Sequence, residues 1–229
     1  MQEEIKKHSK KIFSIAGNRN ASIAKKVREV LLEILIIFIA VSISVWFHNQ
    51  NEKKHQQEEV KEFLTDIKED LLKDRATYLR HVQYHNSDSL LYQKIIRVTK
   101  SSSDTTKIKI NFVVRSLNLS CGNYEGFKTS GKIGYIKNKE LKKKLLAYYE
   151  DNIPNLKFGQ TYYSQESNKF IETIFDNAEN LMSYVCTNRV KSKAQNFLLI
   201  SSSINDQMKK SVTEIDAILH EIAKEVPQE

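Results

Sequence analysis

From Val30 to Phe47 the chain reads VLLEILIIFIAVSISVWF, an apolar run whose one charged residue is Glu33. A helix that crosses the hydrocarbon core of a bilayer needs about 20 mostly apolar residues, and this run with its flanks meets that length. It is apolar on every helical face, whereas a core helix of a soluble domain keeps a polar face. Trp46 and His48 fall where amphipathic rings favour the headgroup boundary. The apolar core of a cleaved signal peptide is shorter and ends in small residues. This run ends in Trp-Phe-His, so the expectation is an uncleaved signal anchor.

The flanks give an orientation. Residues 1–29 carry Lys6, Lys7, Lys10, Lys11, Arg19, Lys25, Lys26 and Arg28 against Glu3, Glu4 and Glu29. Beyond the run, Lys53 and Lys54 are mixed with Glu52, Glu58, Glu59 and Glu62. Excess Lys/Arg marks the cytoplasmic side, so the N-terminus is expected inside and the large C-terminal part outside. Three regions follow: a basic amphipathic juxtamembrane segment over 1–22, a transmembrane helix over 23–49, and an extracytoplasmic helical domain over 50–229. Ile5, Ile12, Phe13 and Ile15 among the lysines suit a short helix on an anionic leaflet, broken at Gly17-Asn18-Arg19-Asn20, with Asn20 or Ser22 capping the next helix.

Glu33 lies about one turn inside the run, beside Arg28 and Glu29. A carboxylate there reaches the interface, is protonated, or meets a partner chain. Ala40 and Ser44, four apart, allow close approach of a second helix.

The stretch E-I-L-I-I-F-I-A-V-S-I-S-V-W-F-H-N-Q-N-E, Glu33 to Glu52, resembles the span of an uncharacterised family of bacterial single-span membrane proteins. In that family a basic N-terminal segment leads into a span that opens with Glu-Ile and closes on Asn-Glu. S-G-K-I-G-Y-I-K-N-K-E-L-K-K-K-L-L-A-Y-Y, Ser130 to Tyr149, is similar to a second family pattern. Ala40 stands where the family has glycine, and Gln50 where it has Trp, with Trp46 one turn earlier. The resemblance implies an anchor in a bacterial inner membrane followed by a helical extracytoplasmic domain in the periplasm.

The remaining chain reads as helical, since 6 Gly and 2 Pro are too few for the turns of a sandwich or barrel. Val60, Leu64, Ile67 and Leu71 make an apolar stripe or coiled-coil seam. It passes Asp74, Tyr78, His81 and His85 and resumes at Leu91, Ile95 and Val98. Residues 101–106 are a loop, and Ile108–Leu119 is ambiguous between helix and strand, with helix favoured by context. Turns are expected at Cys121-Gly122-Asn123 and at Ser130-Gly131, and Asn138 should cap a helix reaching Tyr149. Asn152-Ile153-Pro154-Asn155 should end it. A third long helix is expected over Leu156–Asn188, on Phe158, Tyr162, Phe170, Ile174, Phe175, Leu181 and Val185. A fourth is expected over Ala194–Val226, on Phe197, Ile200, Ile204, Met208, Ile215, Leu219 and Ile222. The expected fold is all-α: one transmembrane helix followed by an up-down helical bundle.

Three groups could carry chemistry. His81 and His85, with Asp88 beyond, have the spacing of a shared metal ion, but His-x-x-x-His alone is a weak signal, and polar residues on a bundle seam or a solvated face explain the same letters. No metal or cofactor is expected. Cys121 and Cys186 could be bridged in an oxidising compartment or remain two buried thiols. Lys137, Lys139, Lys142, Lys143 and Lys144, ahead of Tyr148 and Tyr149, form a solvated basic face or a patch for an anionic partner. The topology argues against nucleic acid despite a net charge of +8. Phosphate-loop, dinucleotide and nucleophile-elbow motifs are absent from the sequence, so a non-enzymatic reading is expected. That reading is a membrane-anchored interaction, scaffold or accessory protein of the envelope, bound to lipid and to other envelope proteins or to itself. The alternative is an extracytoplasmic sensor that signals through a partner.

Overall fold

A computed structural model describes Lys6, Lys7, Lys10, residues 23–99 and residues 115–226. The juxtamembrane helix expected over 2–16, its break and caps, the loop at 101–106 and most of the ambiguous segment before Leu119 lie outside the described residues. The described residues are mostly helical and hold no strand. The chain divides into two compact units, Met1–Glu58 and Glu59–Glu229.

Helix α1 runs over Ile23–Arg97. In the first unit it is the one described helix long and apolar enough to cross a membrane. Only 6 % of its most apolar window is buried, unlike a soluble core helix. Leu31, Leu32, Ile34, Leu35, Ile36, Phe38, Ile39, Ile43, Trp46 and Phe47 are all exposed.

The second unit is built on the later part of α1, whose inward positions Val60, Phe63, Leu64, Ile67 and Leu71 are buried. Residues 115–121 have no regular structure and lead into α2 (Gly122–Thr129). The expected turn at Cys121-Gly122-Asn123 is therefore the start of a helix. Gly131, at φ 76°, supplies the left-handed residue that ends it, and its N–H bonds the Lys128 carbonyl at 2.9 Å. A short 3₁₀ turn (Lys132–Tyr135) precedes α3 (Lys139–Leu146). Asn138 caps α3, its side chain accepting from the Leu141 N–H at 3.0 Å.

Pro154 does not end the helical path. A π turn (Ala147–Asn152) joins α3 to α4 (Ile153–Phe175), with the Ile153 N–H bonded to the carbonyl of Tyr148, five residues back. The wider turn does two things. It lets the adjacent Tyr148 and Tyr149 both be buried, and it relieves the contact that a proline ring makes with the carbonyl four residues earlier.

The helix expected to continue to Asn188 stops at Phe175. A 3₁₀ turn (Ala178–Asn180) and the short α5 (Leu181–Val185) follow. Helix α6 then spans Asn188–Glu225, capped by Thr187, whose hydroxyl accepts from the Val190 N–H at 3.4 Å.

Residue pairs set the chain directions within this unit. Arg115 meets Asp88, Ser120 meets Asp74 and Lys132 meets Glu59, so this leg runs against α1. Tyr148 then meets Asp74, Gln160 meets His85 and Tyr163 meets Tyr92, running with α1. On α6, Ser201 meets His85 and Asp216 meets Arg75, running against it again. The core between these legs includes Tyr78, Tyr92, Leu141, Leu145, Phe170, Ile174, Met208 and Ile215.

Register within α4 differs from the sequence reading. Phe158, Tyr162 and Phe175 are exposed and Leu156 and Tyr163 are buried in their place, while Phe170 and Ile174 are buried as expected. Phe158→Ala should therefore change stability by no more than about 0.5 kcal/mol, while Phe170→Ala should cost about 3–5 kcal/mol. Urea unfolding followed by far-UV circular dichroism separates the two, and equal costs would contradict this register.

Candidate functional site

Asp70, Asp74, Tyr78, His81, His85, Asp88 and Tyr92 follow one another on α1 at spacings of three and four, so they share one face. This polar seam continues the apolar stripe and points into the domain. Asp70, Asp74, His81 and His85 are all buried. Buried polar groups need partners, and for Asp70, Asp74 and His85 the other legs supply them.

At the lower level Asp74 accepts the Ser120 backbone N–H and the Tyr148 hydroxyl, both at 2.9 Å. Asp70 accepts from the Asn123 amide at 2.9 Å. Burial pushes the Asp74 carboxyl above the usual carboxylate range, and its hydrogen bonds only partly oppose that. Tyr149 stacks on Tyr124 at 4.2 Å. Burial raises the hydroxyls of Tyr78, Tyr148 and Tyr149, which keeps them protonated donors at neutral pH.

At the upper level His85 joins three helices. Its Nε2 is 2.8 Å from Gln160 Oε1 on α4, and its Nδ1 is 2.9 Å from Ser201 Oγ on α6. Gln160 uses its amide N–H groups toward Ser164 Oγ (3.0 Å) and the Arg115 carbonyl (3.4 Å). Its oxygen therefore accepts, which places the imidazole proton on Nε2 and leaves Nδ1 to accept from Ser201. Beside it, Asp88 accepts from Arg115 Nη1 at 2.6 Å and from the Tyr163 hydroxyl at 3.0 Å, and Tyr163 lies 3.1 Å from the Tyr92 hydroxyl. The Arg115 guanidinium also lies 4.6 Å over the Tyr84 ring, which makes a T-shaped contact with His81 at 5.6 Å. Two buried nitrogens in this group, His81 Nδ1 and Arg115 Nε, have no hydrogen-bond partner.

His81, His85 and Asp88 thus do come together, but as a hydrogen-bonded core and not on a solvated face. Both nitrogens of His85 are engaged and Asp88 is held by Arg115, so the three do not converge as ligands. Among the described residues no group of three or more His, Cys, Asp or Glu side chains is arranged to hold a metal ion.

The possible disulfide is not formed: Cys121 and Cys186 are free. Cys121 lies next to Ser120, which binds Asp74, while Cys186 Sγ is 3.9 Å from the Val98 carbonyl. Those two levels of α1 are separated by about 36 Å at 1.5 Å of rise per residue, far beyond the Cα separation of about 7 Å that a bridge tolerates. Cys121 instead sits 3.7 Å from Lys157 Nζ, and burial raises its thiol above the usual range.

Lys137, Lys139 and Lys143 are exposed and Lys142 is half-buried, whereas Lys144 is bonded to Glu140 at 3.0 Å and faces Glu221 at 4.0 Å. The lysines therefore do not act as one uniform patch. Lys139, Lys142 and Lys143 line a shallow groove with Leu146, Ala147, Glu150 and Asp151. In the first unit Glu33 is 5 % exposed although its apolar neighbours are exposed; Ala40 is exposed and Ser44 half-buried.

Sequence reasoning missed Arg115, Gln160 and Ser201. Two of them had a signal. Gln160 sits between Leu156 and Tyr163, and Ser201 between Phe197 and Ile204, at core spacing. A polar residue in an apolar register marks a buried hydrogen bond. No family model, no curated protein and no solved structure matches the chain.

Two outcomes follow from this geometry. Asp88→Asn and Arg115→Met should each destabilise by about 2–4 kcal/mol, and the double variant by clearly less than their sum. Strict additivity in urea unfolding would contradict the pairing. Intact mass after thiol alkylation in denaturant without reductant should show both cysteines modified; an unmodified pair would contradict their separation.

Proposed function

We propose that this chain is a membrane-anchored helical protein of a bacterial envelope, with the lysine-rich N-terminus cytoplasmic and residues 50–229 in the periplasm. Its role in this reading is non-enzymatic. It binds other envelope proteins or a second copy of itself, as a scaffold or accessory subunit in an uncharacterised single-span family. The observation that carries the reading is the exposed apolar surface from Leu31 to Phe47. Burying one such side chain is worth about 1.5–3 kcal/mol, so leaving a dozen in water is untenable and lipid is the natural solvent. The Lys/Arg excess of residues 1–29 supports the orientation. The alternating chain directions in the second unit support an up-down bundle.

The sensor reading keeps a place because of one feature. A ligand-binding or signalling domain needs an element with two arrangements, and the His85 junction joins α1, α4 and α6 through groups whose hydrogen bonds depend on protonation.

Membrane fractions extracted with alkaline carbonate should retain the full chain, and mild-detergent purification at neutral pH should recover a stoichiometric companion or a homo-oligomer. Release into the carbonate supernatant would contradict the anchor, and a clean monomer without companions would contradict the scaffold role. Glu33→Gln tests the membrane contact separately: retained insertion with a lost companion is expected if Glu33 contributes to it.

A further inference from the structure

His81 and His85 stand one turn apart on α1, 5 % and 1 % exposed. Charged and titratable groups face them from three elements. Helix α1 brings Asp88, Arg80 and Tyr84; the 115–121 segment brings Arg115; α4 brings Tyr163 with Gln160; and α6 faces them with Ser201. The pair thus sees two guanidinium groups and one carboxylate, and that carboxylate is already bonded by Arg115 and Tyr163. Neutral imidazoles suit this arrangement. A proton on either ring adds a further cation with no unoccupied anion to meet it.

We propose that the His81–His85 pair is an acid-responsive switch, whose neutral rings lock α1, the 115–121 segment, α4 and α6 together and whose protonation releases the Arg115 segment. The two rings have different roles. At His85 a proton has a route in. Ser201 Oγ lies 2.9 Å from Nδ1 and 3.3 Å from the His85 carbonyl, so a protonated Nδ1 can donate to Ser201 while the serine hydrogen turns to the carbonyl. At His81 Nδ1 has no partner, and a positive charge on this ring is opposed by Arg115, which like His81 lies against Tyr84. Relief at His81 therefore comes by moving the Arg115 segment, which is held to this site by its bond to Asp88, its stacking on Tyr84 and the Gln160 and Ser164 bonds to its carbonyl.

The sign follows from burial. Both imidazoles titrate below the ordinary value of about 6.5, and burial pushes His81 down to about 4. The fold favours the neutral form, so its contribution is complete above the ordinary value. It is lost as pH falls from there toward the depressed values, because the open state takes up protons first. The switch assumes neither a membrane nor a partner, so its failure leaves the anchor and scaffold reading untouched.

The test uses the full chain in detergent micelles. Near-UV circular dichroism reports the packed tyrosines, and far-UV dichroism reports helix. Between about pH 8 and pH 4, near-UV signal should fall reversibly while helix is kept, with a midpoint below about 6.5. H81Q and H85Q should each move that midpoint down by about one unit, a tenfold change in proton concentration. Coincident midpoints for wild type and both variants, or an unchanged near-UV signal throughout, would overturn the proposal. Should a variant lack the native near-UV signal at neutral pH, carbon-13 NMR of the histidine rings in the wild type decides. Two rings titrating well below 6.5 in step with the tyrosine signal support the switch, and all rings titrating near 6.5 would overturn it.

Discussion

Helix α1 meets two demands that no single surface pattern satisfies. Between Leu31 and Phe47 it presents apolar side chains around its whole circumference, with Glu33 the buried exception. From Val60 onward it is one-sided, burying residues at spacings of three and four. The first pattern suits a solvent that cannot hydrogen-bond, and a helix fits such a solvent because its backbone groups are satisfied internally. The second requires partner helices. The fold of residues 59–229 is organised by this one-sided stretch, since each other leg is registered by pairs with it.

What crosses from α1 to those legs is unusually polar. Apolar stripes alone permit sliding by a turn, because Leu, Ile and Tyr at equivalent positions present similar shapes. Asp74 with Ser120 and Tyr148, His85 with Gln160 and Ser201, and Asp88 with Arg115 and Tyr163 do not permit it. A one-turn slip would strand each carboxylate and imidazole against carbon, at several kcal/mol per charged group. Such groups add little net stability beside an apolar core of the same volume. Their contribution is to select one register, and at His85 to make that register sensitive to a proton.

The parts legible in the sequence were those with simple periodicity. The apolar run is a helix long and apolar enough to cross a membrane, and the stripe through Val60, Leu64, Ile67 and Leu71, the Asn138 cap and the inward face of α6 through Ile204, Met208, Ile215 and Ile222 stand as read. The α4 register was misread because Phe158, Tyr162 and Phe175 are large and apolar yet exposed, while Gln160 takes the core position between Leu156 and Tyr163. Pro154 reads as a terminator in isolation, and only the π turn at Ala147–Asn152 lets the helical path continue. The polar seam was visible as Asp74, Tyr78, His81 and His85, but its burial depended on Arg115, Gln160 and Ser201. Those partners lie 27 to 116 residues away from α1 in the chain, where local pattern carries no information.

Site-directed spin labels placed one at a time along α1 in lipid vesicles would measure its two surfaces directly, by collision with dissolved oxygen and with a water-soluble nickel chelate. The expected record has high oxygen and low nickel accessibility at every position from Leu31 to Phe47 except the buried Glu33. From Val60 to Ile95 it should change to a helical period, with both accessibilities lowest at Leu64, Ile67, Leu71, Tyr78, His85 and Tyr92. A helical period within the first stretch, or nickel accessibility throughout it, would contradict a lipid-facing segment, and a flat record beyond Val60 would contradict the one-sided core.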